Sequence, residues 1–159
     1  MRAMDEFDRK LCSVQAALFE RSLAASPGSS ASFVRRFMRS PLAQRIDSGS
    51  FPFESDELHV LIEEVDSHYT AAPYGSEKYT ANEMHWMGYL YRCLCQITGK
   101  PSKEVYRLIG ARELRALYYP YHSLDPEQAV ERILEAKGLL GVSHIERGVR
   151  ILKAIRGIA

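Results

Sequence analysis

The chain has 159 residues, 46% hydrophobic and 26% charged, with 21 basic against 20 acidic side chains and a net charge of +1. That length fits one domain burying about two-thirds of its unfolded surface, and the composition excludes a wholly disordered chain. The near-neutral balance argues against a protein whose whole surface coats phosphates.

Residues 4–24 carry Phe7, Leu11, Val14 and Leu18 at helical spacing, which predicts an amphipathic helix. The Ser26-Pro27-Gly28-Ser29-Ser30 run reads as a loop, and Phe33, Val34, Phe37 and Met38 predict a short second helix. It is interrupted before Pro41, whose ring disfavours helical geometry at Ser40, and Leu42 and Ile46 continue a further turn. Ser48 to Pro52 is a turn. Ser55 then caps a helix whose apolar face is Leu58, Leu61, Ile62 and Val65. Residues 70–80, TAAPYGSEKYT, form the longest irregular stretch.

Thr80-Ala81-Asn82-Glu83 is a capping box, and the helix it opens runs to Thr98, where Gly99 supplies a left-handed stop. Ser102 is expected to cap a short helix ending near Gly110, and Arg112 to Tyr119 reads as another. Asp125-Pro126-Glu127-Gln128 starts a helix whose inward residues are Ala129, Val130, Ile133 and Leu134, and Lys137-Gly138 ends it. A last amphipathic helix is expected within 139–159, with Ile145, Val149, Leu152 and Ile155 in a stripe. No segment alternates like a strand. The expectation is a compact all-α domain over residues 1–159, with roughly six to nine helices around a central helix at 80–98.

On a helical wheel, residues 83–98 are apolar nearly all round, which a helix surrounded by protein requires. His85, Tyr89, Arg92 and Gln96 make one narrow polar stripe. Such a stripe reaches solvent, pairs with a carboxylate such as Glu104 or Glu113, or lines a groove for a partner with Tyr89 and Arg92 as anchors.

The five histidines lie on different predicted elements, without an HxxxH or HExxH pair, so no metal or cofactor is expected. Arg115 and His122 are spaced as R-x6-H, superficially like helical HEPN ribonucleases, but Pro120 lies between them. No nucleophile elbow or phosphate loop is present, and no catalytic residue is assigned. Cys12, Cys93 and Cys95 fit neither a CxxC redox pair nor zinc spacing; they read as reduced, buried thiols in a reducing compartment. The N-terminal MRAMDEFDRKL is charged where a secretory leader needs an apolar run, and no window nears the ~20 apolar residues of a membrane span. The expected location is cytoplasmic.

Arg35, Arg36, Arg39 and Arg45 are candidate nucleic-acid contacts, although solvated helix faces give the same pattern. In LYYPYHSLDP, Tyr118, Tyr119, Tyr121 and His122 crowd a connector between two helices. Tyrosines there seal a core while leaving hydroxyls wet, and rings left exposed offer a docking point.

The segments SFVRRFMRSPLAQRID, YTANEMHWMGYLYRCLC and ELRALYYPYHSLDPEQAVERILEAKG resemble a family of small, poorly characterised bacterial proteins, some labelled antitoxin components. The likeness spans residues 7–138. It implies a protein that binds and neutralises a protein toxin encoded beside it by covering the toxin's active surface, and it carries no catalytic residues over. The partner-binding candidates are therefore His85, Tyr89, Arg92, Gln96, Tyr118, Tyr119, Tyr121 and His122, with self-association through residues 139–159 a further expectation. Two other classes stay open: a promoter-binding regulator, and a small helical enzyme with a pocket enclosing His85, Arg92 or His122 beside a carboxylate.

Overall fold

The computed structural model describes residues 2–50, 57–69 and 75–140. Among them are nine helices and no strand: α1 (Glu6–Ala25), α2 (Ser30–Met38), α3 (Pro41–Asp47), α4 (Leu58–Ser67), α5 (Ala81–Thr98), α6 (Ser102–Leu108), α7 (Ala111–Ala116), α8 (Tyr118–Tyr121) and α9 (Pro126–Ala136). The expected all-α architecture is the observed one.

Local chemistry accounts for the boundaries. Thr80 and Glu83 exchange the two bonds of the capping box, and Gly99 ends α5 at φ 72°, where a side chain would be strained. Ser40 is an N-cap and Pro41 the first residue of α3, so the proline starts a separate helix instead of ending a continuous one. A second capping box, Asp5 with Asp8, opens α1. Ser102 does not cap α6; Pro101 occupies that position, and the serine is the first helical residue. Pro120 sits inside the single turn of α8, and Asp125 makes no side-chain cap bond at the start of α9. The proposed cap at Ser55 and the amphipathic helix of 141–159 lie outside the described residues.

The longest interface is between α1 and α5. They run antiparallel: Asp8 meets Gln96, Gln15 meets Arg92 and Glu20 meets His85. Gly88 sets how closely they approach, because a Cβ there would lie 2.7 Å from the Gln15 carbonyl oxygen and 2.9 Å from Ala16 Cα. The remaining faces of α5 meet α6, α7, α8 and α9. Eleven of its 18 residues are buried, Leu90 and Leu94 completely and Trp86 to 9% exposure, so α5 is the central helix its composition predicts.

α2 and α4 close the core from the α1 side, where Phe19, Phe33, Phe37 and Tyr91 form an edge-to-face and tilted aromatic cluster with centroids 5.1–6.1 Å apart. Ala129, Val130, Ile133 and Leu134 are buried as expected. Phe7 departs from the expected apolar stripe of α1: it is 47% exposed, while Leu11 and Leu18 are buried. All three cysteines are free and buried. Burial pushes the Cys95 thiol up to about 11, so it is protonated at neutral pH and is a poor nucleophile. No helix among the described residues is long and apolar enough to cross a membrane.

Candidate functional site

The polar stripe of α5 divides in two. Its C-terminal half faces protein. Arg92 has no exposed surface and donates from Nε to Gln15 Oε1 (2.8 Å), from Nη1 to Asp47 Oδ1 (2.7 Å) and from Nη2 to Ser102 Oγ (2.9 Å). Ser102 in turn donates its hydroxyl and its backbone N–H to Asp47 at 2.7 and 2.9 Å. This network joins α1, α3, α5 and α6. Gln96 donates to Asp8 at 2.7 Å, and Asp8 also takes both Nη groups of Arg2 and the Asp5 amide. Burial alone would raise the Asp8 pKa; these donors outweigh it and hold the carboxyl well below the usual range.

Arg92 is thus corrected from a surface anchor to an internal ion pair, and its partner is Asp47, not Glu104 or Glu113. Gln96 is likewise committed to α1. The reason is on α1 itself: Asp8, Gln15 and Ser22, spaced by seven, are all buried on one face. A polar stripe on one helix met a polar stripe on the other, a pairing that a wheel of α5 alone cannot display.

The N-terminal half of the stripe does open outward. His85 and Tyr89 line a groove of about 330 Å³ with Asn82, Trp86, Leu90, Tyr118, His122 and Pro126, between α5, α8 and the start of α9. Trp86 and Tyr118 meet edge to face at 5.6 Å, and Tyr118 stacks on His122 at 4.5 Å and 17°. The His122 ring is fixed by Nδ1–H donating to the Tyr118 carbonyl at 2.9 Å. At the rim, Tyr119 is 85% exposed and lies 6.3 Å from His122. His85 Nδ1 is 3.3 Å from Glu20 of α1, both side chains about half exposed. Burial raises the Tyr89 hydroxyl pKa, leaving a neutral group there at physiological pH.

The structure therefore brings His85, Tyr89, Tyr118 and His122 into one groove, with Tyr119 outside the lining beside His122. Tyr121 does not line the groove and, like Tyr89 and Tyr118, packs against the core, as the sealing role of a connector tyrosine requires. The R-x6-H pair separates: Arg115 bonds Glu83 at 3.1 Å and covers the Tyr79 ring at 4.2 Å, contacts absent from the His122 groove. Among the described residues no group of three or more His, Cys, Asp or Glu side chains is placed to hold a metal ion.

The four arginines also part company. Arg36 is buried and bonded to Asp66, Ser26 and Ser32, which corrects its assignment as a phosphate contact. Arg45 pairs with Glu64 at 2.8 Å. Arg35 and Arg39 are exposed and line a second, larger groove with Arg112 and Tyr106. Neither Arg112 nor Tyr106 stood out in the sequence, since each lies on a helix too short for a periodic pattern.

Compared with protein-family models, curated proteins and solved structures, the chain has no match.

Proposed function

We propose that this chain is a protein-binding module of antitoxin type, which neutralises a toxin encoded beside it by seating part of the toxin against the His85–Tyr89–Trp86–Tyr118–His122 groove. The observation that carries this reading is the exposure of Tyr119 beside a fixed aromatic wall. A large ring left 85% in water gains most from being covered. Tyrosine and tryptophan are the residue types in which interface energy concentrates, and rings already locked by stacking lose little entropy on binding. The resemblance of the three quoted segments to antitoxin-labelled proteins supplies the partner class. Occlusion is the mechanism: the aromatic wall displaces water from the toxin's active surface, and the polar rim of Asn82 and His85 sets orientation.

Co-expression with the product of the adjacent gene tests this. The expected result is that the two proteins co-purify and growth inhibition is relieved. The double substitution Tyr118→Ala with Tyr119→Ala weakens the complex by about 2 kcal/mol or more, ~30-fold, while the isolated protein stays folded. Absence of a complex, or a complex indifferent to both tyrosines, contradicts the proposal.

A further inference from the structure

A groove of about 790 Å³ lies on a different part of the surface, between α2, residues 75–77 and the α6–α7 corner, and shares no residue with the aromatic groove. We infer that it binds a phosphate ester carrying a flat base, either a free nucleotide or a segment of single-stranded nucleic acid.

Three guanidinium groups converge on it. Arg35 on α2 and Arg39, its C-cap residue one turn on, are both exposed, and Arg112 comes from α7. The groove also contains Glu77 and Glu113, with cations from outside the lining beside each: Lys137 pairs with Glu113, and Arg115, which bonds Glu83 at 3.1 Å, also lies 3.6 Å from Glu77. Neither Arg39 nor Arg112 has an ion-pair partner among the described residues. The local balance is thus positive although the whole chain is near neutral. Planar guanidinium forks suit phosphate oxygens, to which each donates two parallel N–H bonds.

Tyr106 adds the second element of recognition. It is half-buried in the lining, packed against Tyr91 at 6.5 Å, and the Arg39 guanidinium lies over its ring 6.0 Å from the centroid, so a base reaches that face as Arg39 turns to the phosphate. An aromatic face beside two or more arginines accepts a base while the charges take its phosphate, the combination used for single strands and nucleotides. The volume lies within the range of small-ligand sites.

One wall is fixed before any ligand arrives. The Glu77 carbonyl accepts from the Ser30 amide at 2.9 Å, and the Tyr79 amide donates to Ser30 Oγ at 2.9 Å. Gly75, at φ 80°, lets the segment pass so close to α2 that a Cβ would sit 3.1 Å from Ser29 Cβ. Ser29, Ser32 and Ser76 complete the polar lining.

The test uses the full chain, with a fluorescein-labelled single-stranded oligothymidylate read by anisotropy and ATP, AMP, pyrophosphate and a polyglutamate peptide as competitors. Binding is expected to weaken as salt rises, and Arg39→Ala with Arg112→Ala to weaken it about tenfold or more. Arg45→Ala, outside the groove, leaves it unchanged. Tyr106→Leu weakens the oligonucleotide and the nucleotides by about fivefold or more while leaving pyrophosphate untouched. An oligonucleotide that outcompetes ATP identifies a strand as the source; ATP matching it identifies a free nucleotide. The inference is overturned if neither probe binds at about 1 mM, if the double arginine variant binds as wild type, or if polyglutamate competes as well as the nucleotides. Equal melting temperatures for the exposed-arginine variants and wild type establish that lost binding is not lost folding.

Discussion

At Arg92 a charge with no exposed surface is satisfied by three side chains on three other helices. Removing the guanidinium leaves the Gln15 amide oxygen and the largely covered Asp47 carboxylate short of a donor, which costs about 3–5 kcal/mol even though Ser102 still donates to Asp47. Arg92→Ala is therefore expected to lower the unfolding free energy by that amount in denaturant titration. A double-mutant cycle with Asp47→Ala should show strong coupling, the second change costing far less than it does alone. Additive effects would mean that the pair does not act as a unit. Asp8 gives a pH prediction. Its folded pKa is depressed below the ordinary 3.8, so it contributes stability above that value and the contribution is lost as pH falls through and below it. Wild type should lose melting temperature steeply below about pH 4, and Asp8→Asn should be less stable at pH 7 with a shallower acid slope.

At the scale of the helix, the α1–α5 contact depends on an absent side chain. Alanine favours a helix over glycine by about 1 kcal/mol, so Gly88→Ala would stabilise an exposed helix. Here the new Cβ meets backbone atoms of α1 at 2.7 and 2.9 Å, and backbone cannot rotate out of the way. The clash decides the sign: Gly88→Ala should destabilise by about 1–3 kcal/mol or more in thermal or denaturant unfolding. A neutral or stabilising result would show that the helices stand further apart. The same interface explains what the sequence could and could not reveal. The apolar circumference of α5, the Thr80 box and the Gly99 stop depend on neighbours within one or two turns, and they were legible. Whether Arg92 faced water or protein depended on Asp47 and Gln15, which are 45 and 77 residues away, and no local pattern encodes that pairing.

At the scale of the molecule, α1 takes the C-terminal half of the α5 polar stripe into the interior and leaves the N-terminal half beside α8 and α9, where the aromatic groove forms. Four of the eight partner-binding candidates line it, with Tyr119 beside His122, because Tyr118 and the capping residue His122 of the single-turn α8 lie against α5 at Trp86. The clustering of tyrosines was visible in the sequence; that they would meet Trp86 and His85 was not, since it depends on how the α7–α9 corner folds back. Backbone hydrogen exchange on the protein, alone and with the adjacently encoded protein, probes this arrangement most directly. Slowed exchange concentrated at residues 82–90 and 118–126 is the result predicted. Protection on another face, with those two segments exchanging as they do in the free protein, would contradict it.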